Sequence, residues 1–132
     1  MTRLKVLIVD DEPPARERLR SLLVEIPDME VVGEAVNGQQ SLIRAHELAP
    51  DVVLLDVRMP GMDGYTFLER LSALPHLANV PVVVLTSTVL GPDDRERLQR
   101  ASLIMSKSEL SSSALIEAMA RVQPVPEPAV SE

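Results

Sequence analysis

No cysteine and no tryptophan occur in the 132 residues, and Tyr65 and Phe67 are the only aromatics. Without cysteine there is no disulfide framework, and nothing points to an oxidising compartment. With so few aromatics the core must be aliphatic, built from Val, Leu, Ile, Met and Ala. Basic residues are the minority, 13 against 20 acidic, for a formal charge of −7. Nucleic-acid binding needs clustered Lys and Arg to displace counterions, so a nucleic-acid partner is not expected. No apolar stretch approaches the roughly 20 residues of a membrane span, so no membrane partner is expected either. The start, Met1-Thr2-Arg3-Leu4, enters an apolar run directly and does not read as a signal peptide, which makes the cytoplasm the expected location.

At 45% hydrophobic the chain carries material for one core, and its length suits one domain. Four short apolar runs each end on residues capable of chemistry. Residues 4–9 run into Asp10-Asp11-Glu12, 51–55 into Asp56, 80–85 into Thr86-Ser87-Thr88, and 103–106 into Lys107. These runs are rich in Val, Ile and Leu without alternation, which predicts parallel strands buried on both faces. A fifth run over 30–36 is half polar and belongs at an edge.

Helical patterns separate the runs. Ala15, Leu19, Leu22, Leu23 and Ile26 form one apolar stripe, with Pro13 and Pro14 in the first turn, where a missing N–H costs little. A second helix covers 39–48 and stops before Pro50. A third spans 65–74, with Phe67, Leu68, Leu71 and Leu74 inward. The fourth opens at Gly91-Pro92-Asp93-Asp94, and the fifth follows Ser108 with Leu115, Ala118, Met119 and Val122 as its stripe. Five alternations of strand and helix imply a doubly wound parallel sheet with helices on both faces. After residue 122, proline at every second position for three cycles reads as an extended tail or linker stub over 123–132, leaving 1–122 as the domain.

If the runs are neighbouring parallel strands, carboxylates, a hydroxyl and an ammonium converge at the carboxyl edge, where ligands bind in such sheets. That set suits a divalent metal and a phosphoryl group. Taken alone, Asp10-Asp11-Glu12 reads equally well as an acidic lead-in to a helix. His46-Glu47-Leu48 reads as structural, because Pro50 ends its helix, and His76 reads as a surface residue.

With Val9-Asp10-Asp11-Glu12-Pro13, Asp56 through Gly64, Thr86 and Lys107 in this order, the chain resembles the receiver domain of bacterial two-component response regulators over about residues 3–122. The resemblance implies a flavodoxin-like (βα)5 fold with strand order 2-1-3-4-5. It makes Asp56 the phosphoacceptor, taking a phosphoryl group from a histidine kinase or phosphotransfer protein. It assigns Mg²⁺ (or Mn²⁺) to Asp11, Asp56 and the backbone carbonyl of Arg58, with Asp10 acting through water. Thr86 and Lys107 contact the phosphoryl oxygens. A partner-binding surface, and a possible homodimer, are implied around the fourth helix, fifth strand and fifth helix. The chain is then not a conventional enzyme, and is either a stand-alone receiver or a piece of a larger regulator.

Three positions depart from the family pattern. Ile104 stands where an aromatic is usual, so output must travel by loop and helix movement. Ser108 follows Lys107 where proline is usual, which predicts a trans bond with a reshaped loop or a strained cis bond, with Ser108 capping the fifth helix. Arg58 and Ser87 flank the pocket. Other readings are a dehalogenase-like phosphatase, disfavoured because Arg58 stands where its acid should be, and a mononucleotide binder, disfavoured by acids that repel phosphate. A third is a receiver-shaped interaction module that is never phosphorylated.

Overall fold

The computed structural model describes residues 4–56, 64–75, 77, 80–86, 92–97 and 101–122. Within them the chain alternates β1 (Leu4–Val9), α1 (Pro13–Val24), β2 (Met29–Ala35), α2 (Gly38–Leu48), β3 (Val52–Asp56), α3 (Gly64–Ala73), β4 (Val82–Thr86), α4 (Pro92–Arg97), β5 (Leu103–Ser106) and α5 (Ser112–Val122). The strands form one parallel sheet in the order β2-β1-β3-β4-β5. The sequence expectation of a doubly wound (βα)5 domain holds. Expectations for Arg58, Ser87, His76, the loop before Gly64 and the 123–132 tail lie outside the described residues.

Strand alternation splits the core into two layers. Leu7, Val9, Val53, Leu55, Val82 and Val84 face Ala45 of α2 and Phe67, Leu68 and Leu71 of α3. Val6, Ile8, Val52, Leu54, Val83 and Leu85 face Leu19 and Leu23 of α1 and Leu115 and Met119 of α5. Phe67 is fully buried, and aliphatic side chains fill the rest. Burying apolar surface at about 25 cal/mol per Å² makes these two layers the main support of the sheet.

Caps set several boundaries. Asn37 Oδ1 accepts from the Gln40 N–H (2.7 Å), and Gln40 Oε1 accepts from the Val36 N–H (2.8 Å), a reciprocal cap on α2. The helix ends at Ala49, in the left-handed region at φ 45°, just before Pro50. Gly33 follows a register shift in the β1–β2 ladder, where Val6 pairs with Val31 but Leu7 pairs with Gly33. A Cβ at Gly33 would lie 2.5 Å from Leu48 Cδ1, so glycine lets α2 pack close to this edge.

Three local expectations need correction. The sequence of β5 predicts burial on both faces, yet all four of its residues are only partly buried, because it is the outer strand beside β4. Ile26 lies beyond the end of α1 and is buried through the turn that follows. Ser108 does not cap α5. It sits inside a single 3-10 turn, Lys107–Glu109, and the Ser111 hydroxyl instead accepts from the Ala114 N–H at 3.1 Å.

Candidate functional site

The site forms because β1, β3 and β5 run parallel and end at successive steps of the ladder. The Asp10 N–H donates to the Ala35 carbonyl (3.0 Å), extending the ladder one residue beyond β1. Asp10 Oδ1 then accepts from the Glu12 N–H (2.9 Å), an Asx turn that swings the chain into α1. Asp56 is the last residue of β3 and is only 5% exposed. Thr86 ends β4, opposite Ser106 in the ladder and one step beyond the Asp56–Leu85 pair.

Lys107 joins the acids. Its ammonium donates to Asp10 Oδ2 at 2.9 Å and to Asp56 Oδ2 at 3.3 Å, with Glu12 Oε1 at 3.8 Å. Burial pushes the Lys107 pKa down, but the Asp10 hydrogen bond and the charges of Asp56 and Asp10 outweigh it, holding the group above its ordinary 10.5. The bond from Lys107 to Ser108 is trans, as are all peptide bonds among the described residues. The turn after the lysine is held locally: Ser106 Oγ lies 2.8 Å from Ser108 Oγ and accepts from the Ser108 N–H. Arg18 also reaches across from α1 to donate to the Leu110 carbonyl at 3.1 Å.

Asp10, Asp11, Glu12 and Asp56 each offer a carboxylate oxygen within 4.8 Å of the others. These four carboxylates, of which Lys107 bonds two, leave an excess of negative charge that a hard divalent cation with oxygen ligands fits. The structure therefore brings together Asp10, Asp11, Asp56 and Lys107 and places Thr86 at the same edge, while Arg58 lies outside the described residues. Glu12, read from the sequence as part of the acidic turn, adds a further oxygen. Arg16 is a site residue that the sequence pattern does not single out: its Nη1 donates to the Asp10 carbonyl at 2.8 Å and its Nε to Glu34 at 3.2 Å. The only sequence sign of it is a cation one turn into α1 behind the acids.

A doubly wound α/β domain with a lysine-bridged acidic carboxyl edge defines the class. The chain matches the response regulator receiver domain family over residues 6–118 and belongs to it. It is 34% identical over 121 residues to the gliding motility regulatory protein of Myxococcus xanthus, covering 91% of this chain and 15% of that protein. It is 45% identical over 87 residues to a protein-glutamate methylesterase/protein-glutamine glutaminase of Halalkalibacterium halodurans, covering 66% of this chain and 24% of that protein. The chain thus spans a minor part of the length of these relatives. The response regulator domain of Thermotoga maritima CheB superposes with a TM-score of 0.81 at 28% identity, covering 93% of this chain and 98% of that one. The signal receiver domain of a histidine kinase from Syntrophus aciditrophicus gives 0.79 at 28% identity, covering 97% and 96%. This is a two-component receiver domain, which decides against the phosphatase and mononucleotide-binding readings. No helix among the described residues is long and apolar enough to cross a membrane.

Proposed function

We propose that Asp56 is the phosphoacceptor, taking a phosphoryl group from a phosphohistidine on a histidine kinase or phosphotransfer protein. The observation that carries this reading is Asp56 itself: buried at the end of β3, bonded to Lys107, and within 4.8 Å of three further carboxylates. An Asp56 oxygen attacks phosphorus, the P–N bond to the imidazole breaks, and an acyl phosphate forms. Lys107 is placed to offset the negative charge gathered there, as a compact cation suits phosphate. Thr86 is the candidate hydroxyl donor to a phosphoryl oxygen.

Mg²⁺, or Mn²⁺ with the same oxygen preference, fits the donor set. Asp11 and Asp56 are its proposed direct ligands, with the Arg58 carbonyl beside them and Asp10 acting through water. When bound, the ion supplies positive charge that lets a carboxylate approach a phosphoryl dianion. The loaded domain, residues 1–122, then biases a surface around α4, β5 and α5 toward a protein partner or a second copy. Ile104 is part-buried against the α2–α3 layer. It has no ring to swing, so output travels through movement of loops and helices.

Incubation with acetyl phosphate and Mg²⁺, followed by intact mass measurement, tests the assignment. The expected result is one added phosphoryl group on wild type and none on Asp56→Asn. No gain on wild type would mark the chain as a phosphorylation-independent interaction module. An equal gain on Asp56→Asn would move the acceptor elsewhere.

A further inference from the structure

Asp10 is held on both sides of its backbone. Its N–H belongs to the β1–β2 ladder through Ala35, and its carbonyl accepts from Arg16 Nη1 at 2.8 Å. That carbonyl shares a planar peptide with the Asp11 N–H, so fixing the oxygen fixes the plane from which the Asp11 side chain departs. Arg16 is itself anchored. Its Nε donates to Glu34 Oε1 at 3.2 Å, while Arg20 Nη1 lies 3.0 Å from Glu34 Oε2. Glu34 pairs with Ile8 in the sheet, so the anchor is the sheet rather than a loop. A guanidinium presents its donors in a rigid plane, which suits holding one carbonyl and one carboxylate together.

We propose that Arg16 is a positioning residue that orients the Asp10–Asp11 peptide, and through it the acid pair, for the divalent cation; this rests on the metal-assisted reading above. Charge and geometry predict opposite signs here. Removing a nearby cation would by electrostatics alone tighten Mg²⁺ binding, whereas losing the clamp weakens it.

MgCl2 titrations of the full chain, followed calorimetrically without any phosphoryl donor, read that sign. Arg16→Gln is expected to weaken Mg²⁺ binding about tenfold, the low end for loss of a group that orients a ligand. Arg16→Lys keeps the charge but not the fork, and falls between. Arg20→Gln removes an equal charge from the same Glu34 without touching the acidic turn, and stays within about twofold of wild type. Equal or tighter binding in Arg16→Gln overturns the proposal, and so does a matching loss in Arg20→Gln. If Arg16→Gln does not fold, Arg16→Lys decides at constant charge, wild-type affinity overturning the idea.

A wild-type chain that takes no Mg²⁺ sinks the metal-assisted reading instead. Amide exchange in the metal-free proteins then decides the clamp separately. Faster exchange at Asp11 and Glu12 in the Arg16 variant, but not in Arg20→Gln, supports it. Unchanged exchange overturns it.

Discussion

Lys107 Nζ lies 2.9 Å from Asp10 Oδ2, although 97 positions separate the two residues in sequence. The contact closes the carboxyl edge, because it joins the loop after β5 to the end of β1 across β3 and β4. The same ammonium reaches Asp56, so one cation holds two buried carboxylates that would otherwise repel each other.

Removing that cation should destabilise the protein at neutral pH. Lys107→Met is expected to cost about 1–3 kcal/mol, below the usual cost of breaking a fully buried pair because the lysine is partly exposed. Urea unfolding at pH 7 with chelator present is the measurement, and Asp56→Asn in the same background should recover part of the loss. A variant as stable as wild type would show that the bridge adds nothing.

The raised pKa of Lys107 sets an alkaline limit. Its stabilisation is fully present below the unfolded value of 10.5 and is lost as pH rises through the higher folded value. Unfolding free energies measured from pH 9 upward should therefore decline above 10.5 more steeply in wild type than in Lys107→Met. Parallel curves would count against the assigned cause.

Magnesium should stabilise the fold by mass action, by about 1.4 kcal/mol at a free concentration ten times Kd. Asp56→Asn should show the reverse pattern. In chelator it should match or exceed wild type, having one fewer charge among the four clustered carboxylates, and it should lose most of the magnesium gain. Thermal midpoints with and without MgCl2 test both halves.

Gly33→Ala should cost about 1 kcal/mol, the mild end of overpacking, because the added Cβ meets only the tip of the Leu48 side chain. Gly33→Val should cost more. Chemical denaturation compares them, and a neutral Gly33→Val would mean that Leu48 moves freely.

Much of the architecture could be read from local pattern. Unalternating aliphatic runs mark the strands, Pro13 and Pro50 stand near helix limits, and the half-polar run around Glu30 marks an edge. β5 looks central from sequence because Leu103-Ile104-Met105 has the composition of a central strand, while edge position depends on neighbours. Ser108 and Ser111 are both serines ahead of an apolar stripe, and the 3-10 turn after Lys107 decides which one caps α5.

The order of elements, the aliphatic core and the acids at strand ends follow from sequence by itself, since periods of about 2 and 3.6 residues and turn chemistry act over short separations. What only the tertiary structure decided is which charges meet. Closing the sheet brings Lys107 onto Asp10 and Asp56, and folding α1 back brings Arg16 onto the Asp10 carbonyl. No sequence pattern announces that last contact, because its acceptor is a backbone oxygen that every residue carries.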